Sequence, residues 1–351
     1  MRKITLIFTL IIVFYSCKKS DDQVNTTTDL ETEIIQDYSH KVCKKSYQML
    51  AEATNALDVK IETLINNPNQ QNLIECQNQW KEARRIWEKT ESWLFGPVST
   101  DDIDPKIDTW PVDFNRLDSI INGTVDITPN FIESSEFALK GFHPIEYLIF
   151  GKGGNRIASQ LKPRELVFLK ELSSNLKNQT NLLYLSWSEN GGNYIEQLLK
   201  AGSSTMFPTK LSLYEEKVNA MIGICDEVAN EKMGEVLTQL DSNLEESPFS
   251  KNSLVDFTNN INGVKSAYMC NFENEDGKGL EDFVKKHNLS LNNRIQQKIE
   301  VAIASLQNIT VPFGLAIYTQ PIQVQNAIDA INNLKDELET GLLPLVQLHI
   351  K

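Results

Sequence analysis

Four histidines occur in this chain of 351 residues. Only His143 stands in a setting that suits chemistry, Gly141-Phe142-His143-Pro144-Ile145-Glu146. Imidazole and carboxylate are good ligands for zinc, iron and copper. A spacing of three lets the two side chains meet beside one helical turn. If Pro144 is the first helical residue, His143 is the N-cap and Glu146 is N3, at the positive end of the helix dipole. The same spacing also serves a purely structural end, because an N3 glutamate commonly bonds back to the N-cap backbone. Two ligands make a weak site, so further donors are needed. Arg84, Trp87 and Glu91 lie at i, i+3 and i+7 on one helical face. Glu91 sits beside an apolar stripe, where a buried carboxylate needs a partner: it is the third candidate metal ligand, or else it forms a salt bridge to Arg84 or lies on a solvated edge. Asp108 precedes Trp110-Pro111 in an irregular connection, where function often resides. It is a fourth candidate ligand, or else a turn-forming aspartate. Ser250, Asn252 and Ser253 stand at a predicted helix start, where they read as caps or as an anion-facing terminus. Ser250 as a nucleophile would need a base, and His143 lies in the other half of the chain. No H-E-x-x-H peptidase motif occurs.

The elements that must position these residues are helical almost throughout. Leu73, Cys76, Trp80, Ala83, Trp87, Thr90 and Leu94 alternate steps of three and four, the pattern of one buried stripe, and Gly96-Pro97 stops that helix. Helices are predicted near 31–66, 70–94, 162–188, 192–201, 209–243, 252–271, 279–287, 290–308 and 321–341. Shorter ones are predicted over about ten residues up to Lys140 and from Pro144 to near Gly151. Residues 308–317 are the one ambiguous stretch, and strand alternation is nearly absent. Long helices with short connections argue for an all-α protein of antiparallel bundles. A glycine cluster near 151–154 divides the chain into an N-terminal bundle, residues 31–155, and a C-terminal one, residues 156–351.

The N-terminus reads as an export signal. Arg2 and Lys3 precede an apolar run from Ile4 to Tyr15, too short to span a bilayer but suited to a signal core. Ser16-Cys17 follows at once, as in a bacterial lipobox, although Phe14 and Tyr15 stand where smaller or aliphatic residues are usual. Residues 1–16 are thus expected to be a lipoprotein signal and Cys17 the lipidation site. Acyl chains on one residue suffice for membrane anchoring. Residues 17–30 are polar and read as a tether. Removing residues 1–16 leaves 34 − 2 = 32 basic against 47 acidic residues, a net charge of −15. That argues against nucleic acid as a partner. It is compatible with cation binding, though solubility alone accounts for it. Cys43, Cys76, Cys225 and Cys270 form no C-x-x-C pair; export permits disulfides within each half, and four buried thiols are the alternative.

The segment Gly141 to Gly151, GFHPIEYLIFG, resembles the signature of the imelysin family, G-x-H-x-x-E followed by an apolar run. Trp80, Arg84, Glu91 and Phe95-Gly96-Pro97 resemble its first long helix, and Ile107-Asp108-Thr109-Trp110-Pro111 its I-D-x-W-P segment. Glu246-Ser247-Pro248-Phe249-Ser250-Lys251-Asn252-Ser253, with Asp256-Phe257 and Asn260, resembles its E-S-x-[FY]-S-x-N-S-x-x-D-F block. The resemblance spans residues 35–345. It implies two helical bundles with a cleft between them, in an exported protein linked to acquisition of iron or another divalent metal. Ser250 and Asn252 would then face the G-x-H-x-x-E segment across the cleft, with Arg84 and Trp110 among the ligand-binding residues. It also implies a partner uptake system and an outer-membrane address. The family is catalogued among metallopeptidases, so the competing expectation is an envelope peptidase using the same His and Glu. A third is a non-metal ligand whose cleft the motif organises.

Overall fold

The computed structural model describes residues 29–351. The expected signal segment, Cys17 and nearly all of the tether lie outside the described residues. Among the described residues the chain is helical, apart from a hairpin pairing Asn271–Phe272 with Glu275–Asp276. No described helix is long and apolar enough to cross a membrane.

The first long helix runs from Leu30–Asp37, through a segment widened to π geometry at Tyr38–Lys44, into Lys45–Asn66. Asn69 caps the next helix, Gln70–Thr90, by accepting from the Asn72 amide at 3.0 Å, which satisfies one of the first-turn donors. Its stripe packs as the periodicity predicts: Leu73, Cys76, Trp80, Ala83 and Trp87 are all fully buried. Truncating a buried tryptophan of this kind to alanine costs about 3–5 kcal/mol.

Helix Lys45–Asn66 packs along both Gln70–Thr90 and Pro163–Trp187. The last of these follows the boundary expected at 155/156, so packing crosses that point. The other face of Gln70–Thr90 meets helix Ser253–Met269, which in turn packs on Leu289–Gln307 and, beyond it, Pro321–Glu337. Gly263 permits the first of those contacts, because a Cβ there would fall 2.2 Å from the Lys89 carbonyl oxygen.

Local readings differ in places. The helix expected up to Lys140 is broken into Pro129–Ser134 and a 3₁₀ turn, Phe137–Leu139. Ser135 turns extended between them and donates its hydroxyl to Phe131 O at 2.7 Å, the local competition with helix that serine offers. The ambiguous stretch resolves into helix Phe313–Thr319 behind Pro312. Cys43, Cys76, Cys225 and Cys270 are buried free thiols.

Candidate metal centre

The G-x-H-x-x-E segment forms helix Phe142–Phe150, which begins earlier than Pro144. Gly141 is its N-cap, at φ +90°, a region that favours glycine. A Cβ at Gly141 would lie 2.3 Å from the Ile107 carbonyl oxygen. The motif glycine is therefore what lets the 107–108 backbone cross the start of this helix and bring Asp108 beside His143. Pro144 is tolerated in the first turn because its missing N–H had no intrahelical partner. His143 and Glu146 lie inside the helix, so the capping pair expected from Pro144 does not form.

His143 is fully buried. Its Nδ1 faces Glu146 Oε2 at 3.4 Å. Its Nε2 lies 3.1 Å from Asp108 Oδ1 and 3.5 Å from Glu246 Oε1, yet makes no aligned hydrogen bond to any of the described residues. One ligand atom each from Asp108, His143 and Glu246 fall within 4.8 Å of one another. Trp110 lines the imidazole edge-on, ring centres 5.1 Å apart, and donates its Nε1 to Leu244 O at 3.1 Å. The other Glu146 oxygen turns away from this group: Oε1 accepts from the Ser250 amide at 2.7 Å and from the Ser250 hydroxyl at 2.6 Å. The serine block and the histidine motif thus meet, as the resemblance implied.

Arg84 sits behind the group, wholly buried. Its guanidinium pairs with Glu88 and with Asp108, and reaches Glu246 Oε1 at 3.0 Å. Trp87 Nε1 donates to the other Asp108 oxygen at 2.6 Å. Asn252 does not cap its own helix; its amide donates to Asp256 Oδ1 at 2.7 Å, while Ser247 donates to Asp256 Oδ2 at 2.6 Å. Glu91 is not brought into the His143 group. Its Oε2 accepts from Asn260 at 2.5 Å and from Lys232 at 3.0 Å, so its buried partner is a lysine rather than Arg84. Glu246, Glu88, Asp256 and Lys232 are site residues that the sequence did not single out as ligands or ion-pair partners. The one available signal was the density of short polar groups from Glu246 to Asp256.

Burial alone would push the imidazole down, but the Asp108, Glu146 and Glu246 carboxylates overcome it and hold His143 well above the ordinary histidine range. Burial likewise opposes ionisation of Asp108 and Glu246. Arg84 and His143 hold Asp108 below the usual carboxylate range, and Lys232, His143 and Arg84 do the same for Glu246. Two other carboxylates, buried beside Glu88, go the other way. Burial and Glu88 push Asp256 up to about 8 and Glu91 well above its ordinary value. The cluster has more carboxylate than Arg84, Lys232 and the His143 imidazole together can compensate.

The group opens on a cleft of about 590 Å³ whose walls include Glu91, Asp104, Asp108, Glu227, Glu231, Glu235 and Glu246, with Trp110 and Leu244 as apolar patches. Three of those acids come from a π-widened stretch, Glu227–Glu235, of the helix that starts at Lys210; such bulges recur at functional sites.

A family model described as Imelysin, Peptidase M75, matches residues 44–340. The chain belongs to the imelysin family. An iron-regulated protein A of Synechococcus elongatus is 29% identical over 324 residues, covering 91% of this chain and 87% of that protein. Among solved structures, an iron-regulated protein A precursor from Parabacteroides distasonis superposes with a TM-score of 0.79 at 24% identity, over 94% of this chain and 97% of the other. An imelysin-like protein from Psychrobacter arcticum does so with a TM-score of 0.74 at 12% identity, over 91% and 96%. At those identities the two structures establish the imelysin fold alone.

Proposed function

We propose that this imelysin is an envelope-tethered protein that captures a divalent cation, iron first, at the floor of the acidic cleft. The observation that carries the reading is the buried His143 Nε2, without an aligned partner among the described residues and flanked by Asp108 and Glu246. One imidazole and two carboxylates form a mixed N/O donor set that suits iron and its neighbours among divalent metals. The cation is cargo here, and His143, Asp108 and Glu246 are its ligands. Glu146 is then the residue that orients His143 through Nδ1, as a carboxylate commonly does for a metal-bound histidine, with Ser250 fixing Glu146 in turn. The acidic walls concentrate cations at the entrance. Iron is favoured because the curated relative is named as an iron-regulated protein. The tether expected at Cys17 would keep the cleft beside an uptake system.

Calorimetric titration of the purified full-length chain with Fe²⁺ under anaerobic conditions tests the reading. Native protein should bind one ion, and His143→Ala and Glu246→Gln should each lose that site. Equal binding by native and His143→Ala protein would sink it. The peptidase alternative assigns Glu146 the part of a base, but Glu146 is already engaged by Ser250 and His143. Peptide turnover abolished by Glu146→Ala would nonetheless overturn the capture reading in its favour.

A further inference from the structure

One ammonium, that of Lys232, lines the cleft beside Asp108 and Glu246. Lys232 Nζ lies 3.0 Å from Glu91 Oε2, 3.3 Å from Glu227 Oε1, 3.6 Å from Glu246 Oε2 and 3.9 Å from Glu88 Oε2. Its side chain is only 10% exposed. Glu246 is shared, turning Oε2 to Lys232 and Oε1 to His143 and Arg84. An ion that reaches Glu246 from the cleft must therefore take a carboxylate that Lys232 already engages.

Several features make Lys232 unlike Arg84, another cation of the cluster. Arg84 lies on a regular helix, has no exposure and does not line the cleft. Lys232 lies in the π-widened stretch Glu227–Glu235, lines the cleft, and has an outward partner in Glu227, whose side chain is 39% exposed. A lysine is a point charge on a flexible four-carbon stem, so it can exchange one carboxylate for another without a fixed fork geometry. Moving toward Glu227 would keep the ammonium paired while releasing Glu246 and Glu91.

We propose that Lys232 is a tethered competitor for the cargo cation, its ammonium holding Glu246 and Glu91 until an arriving divalent ion displaces it toward Glu227. This rests on the capture reading above and gives it a gate. Glu91, expected as a metal ligand, becomes part of the gate, since it holds Lys232. The displacement forms ion–carboxylate contacts and exchanges one Lys232 ion pair for another, with no covalent step. It also yields selectivity: a monovalent ion gains little by replacing an ammonium of equal charge, whereas a divalent ion gains twice the attraction to the same carboxylates.

Co²⁺ titration of the purified full-length chain tests this. Lys232→Met removes the competitor and should lower the Kd for Co²⁺ by about tenfold or more, because a like charge beside the ion is gone. Lys232→Arg should bind no more tightly than native protein. Glu227→Gln removes the outward landing and should slow Co²⁺ association by about fivefold in stopped flow, as loss of an entrance charge does. A Lys232→Met protein with a native-like melting transition and an unchanged or raised Kd would overturn the gate. If Lys232→Met does not fold, Glu227→Gln decides, and an unchanged association rate overturns it. Native protein that binds no Co²⁺ or Fe²⁺ removes the capture reading and the gate together; native binding with an indifferent Lys232→Met removes the gate alone.

Discussion

Two buried cations in this molecule have opposite fates. Arg84 is fully buried among Glu88, Asp108, Glu246 and Asp256, and the carboxylates outweigh its burial to hold it firmly charged. Lys217 is almost as deeply buried, on helix Lys210–Asp226, but its nearest partner is the Tyr38 ring, 3.7 Å from Nζ to the ring centre. Its ammonium has no hydrogen-bond partner among the described residues, and burial pushes it down to about 8. Burial therefore does not decide whether a cation persists in this fold; the surrounding carboxylates do. Where they are in excess, around Arg84 and Lys232, the protein is built to hold positive charge. Where they are missing, at Lys217, it tolerates positive charge at a cost.

The contrast can be broken most forcefully at Arg84. Arg84→Met should destabilise the protein by about 3–5 kcal/mol, because removing one partner strands buried carboxylates; denaturant unfolding at pH 7 measures it. A loss below that of an ordinary surface substitution would mean the cluster is not an electrostatic unit.

Lys217 should behave in the reverse sense. It holds its proton less tightly folded than unfolded, with values of about 8 and 10.5. The charged form is thus penalised by folding at every pH below about 8. As pH rises from about 8 toward 10.5, the unfolded chain binds more protons than the folded one, and stability rises. The gain is at most about 3 kcal/mol from a shift of this size. Unfolding free energies of native and Lys217→Met protein should converge across that window, with the variant the more stable at pH 7. Parallel curves would show that Lys217 carries no buried charge.

A smaller effect should appear at Glu146, which touches the His143 imidazole. Glu146→Gln keeps the Ser250 contacts but weakens the orientation of His143, and should cost about 10- to 100-fold in cation affinity, read by Fe²⁺ titration. The smallest effect is expected at a surface pair. Lys335 reaches Asp226 at 2.7 Å, a distance as short as many in the buried cluster, but both side chains are partly exposed. Lys335→Ala should shift the unfolding free energy by no more than about 1 kcal/mol. A loss approaching that of Arg84→Met would collapse the distinction between buried and exposed pairs.

Much of the scaffold was legible before any coordinates. The stripe from Leu73 to Leu94 placed Arg84 and Glu91 on one helix with a buried face, and His143 and Glu146 could be assigned to one helical turn. The serine block was expected to face the histidine motif, and Ser250 does bond to Glu146. The start of the His143 helix was misplaced because Pro144 is a common first-turn residue, whereas the cap depends on Ile107 crossing Gly141. The partner of Glu91 was beyond reach for a similar reason. Lys232 lies 141 residues farther along the chain, and nothing in its local sequence marks it as buried. Glu246 was visible only as one acid in a polar block; its contact with Arg84 spans 162 residues.

The sequence by itself determined an all-helical imelysin with His143 and Glu146 at one helical turn and a surplus of carboxylate. Helical periodicity and cap chemistry are local, so they can be read from neighbours in the chain. Only the tertiary structure decided which carboxylates attend His143, with Glu146 at its Nδ1 and Asp108 and Glu246 at its Nε2, and that Lys232 lines the cleft beside Asp108 and Glu246. Those choices depend on charges brought together from helices far apart in sequence. Their strength is set by burial, and burial belongs to the packed molecule rather than to any segment of it.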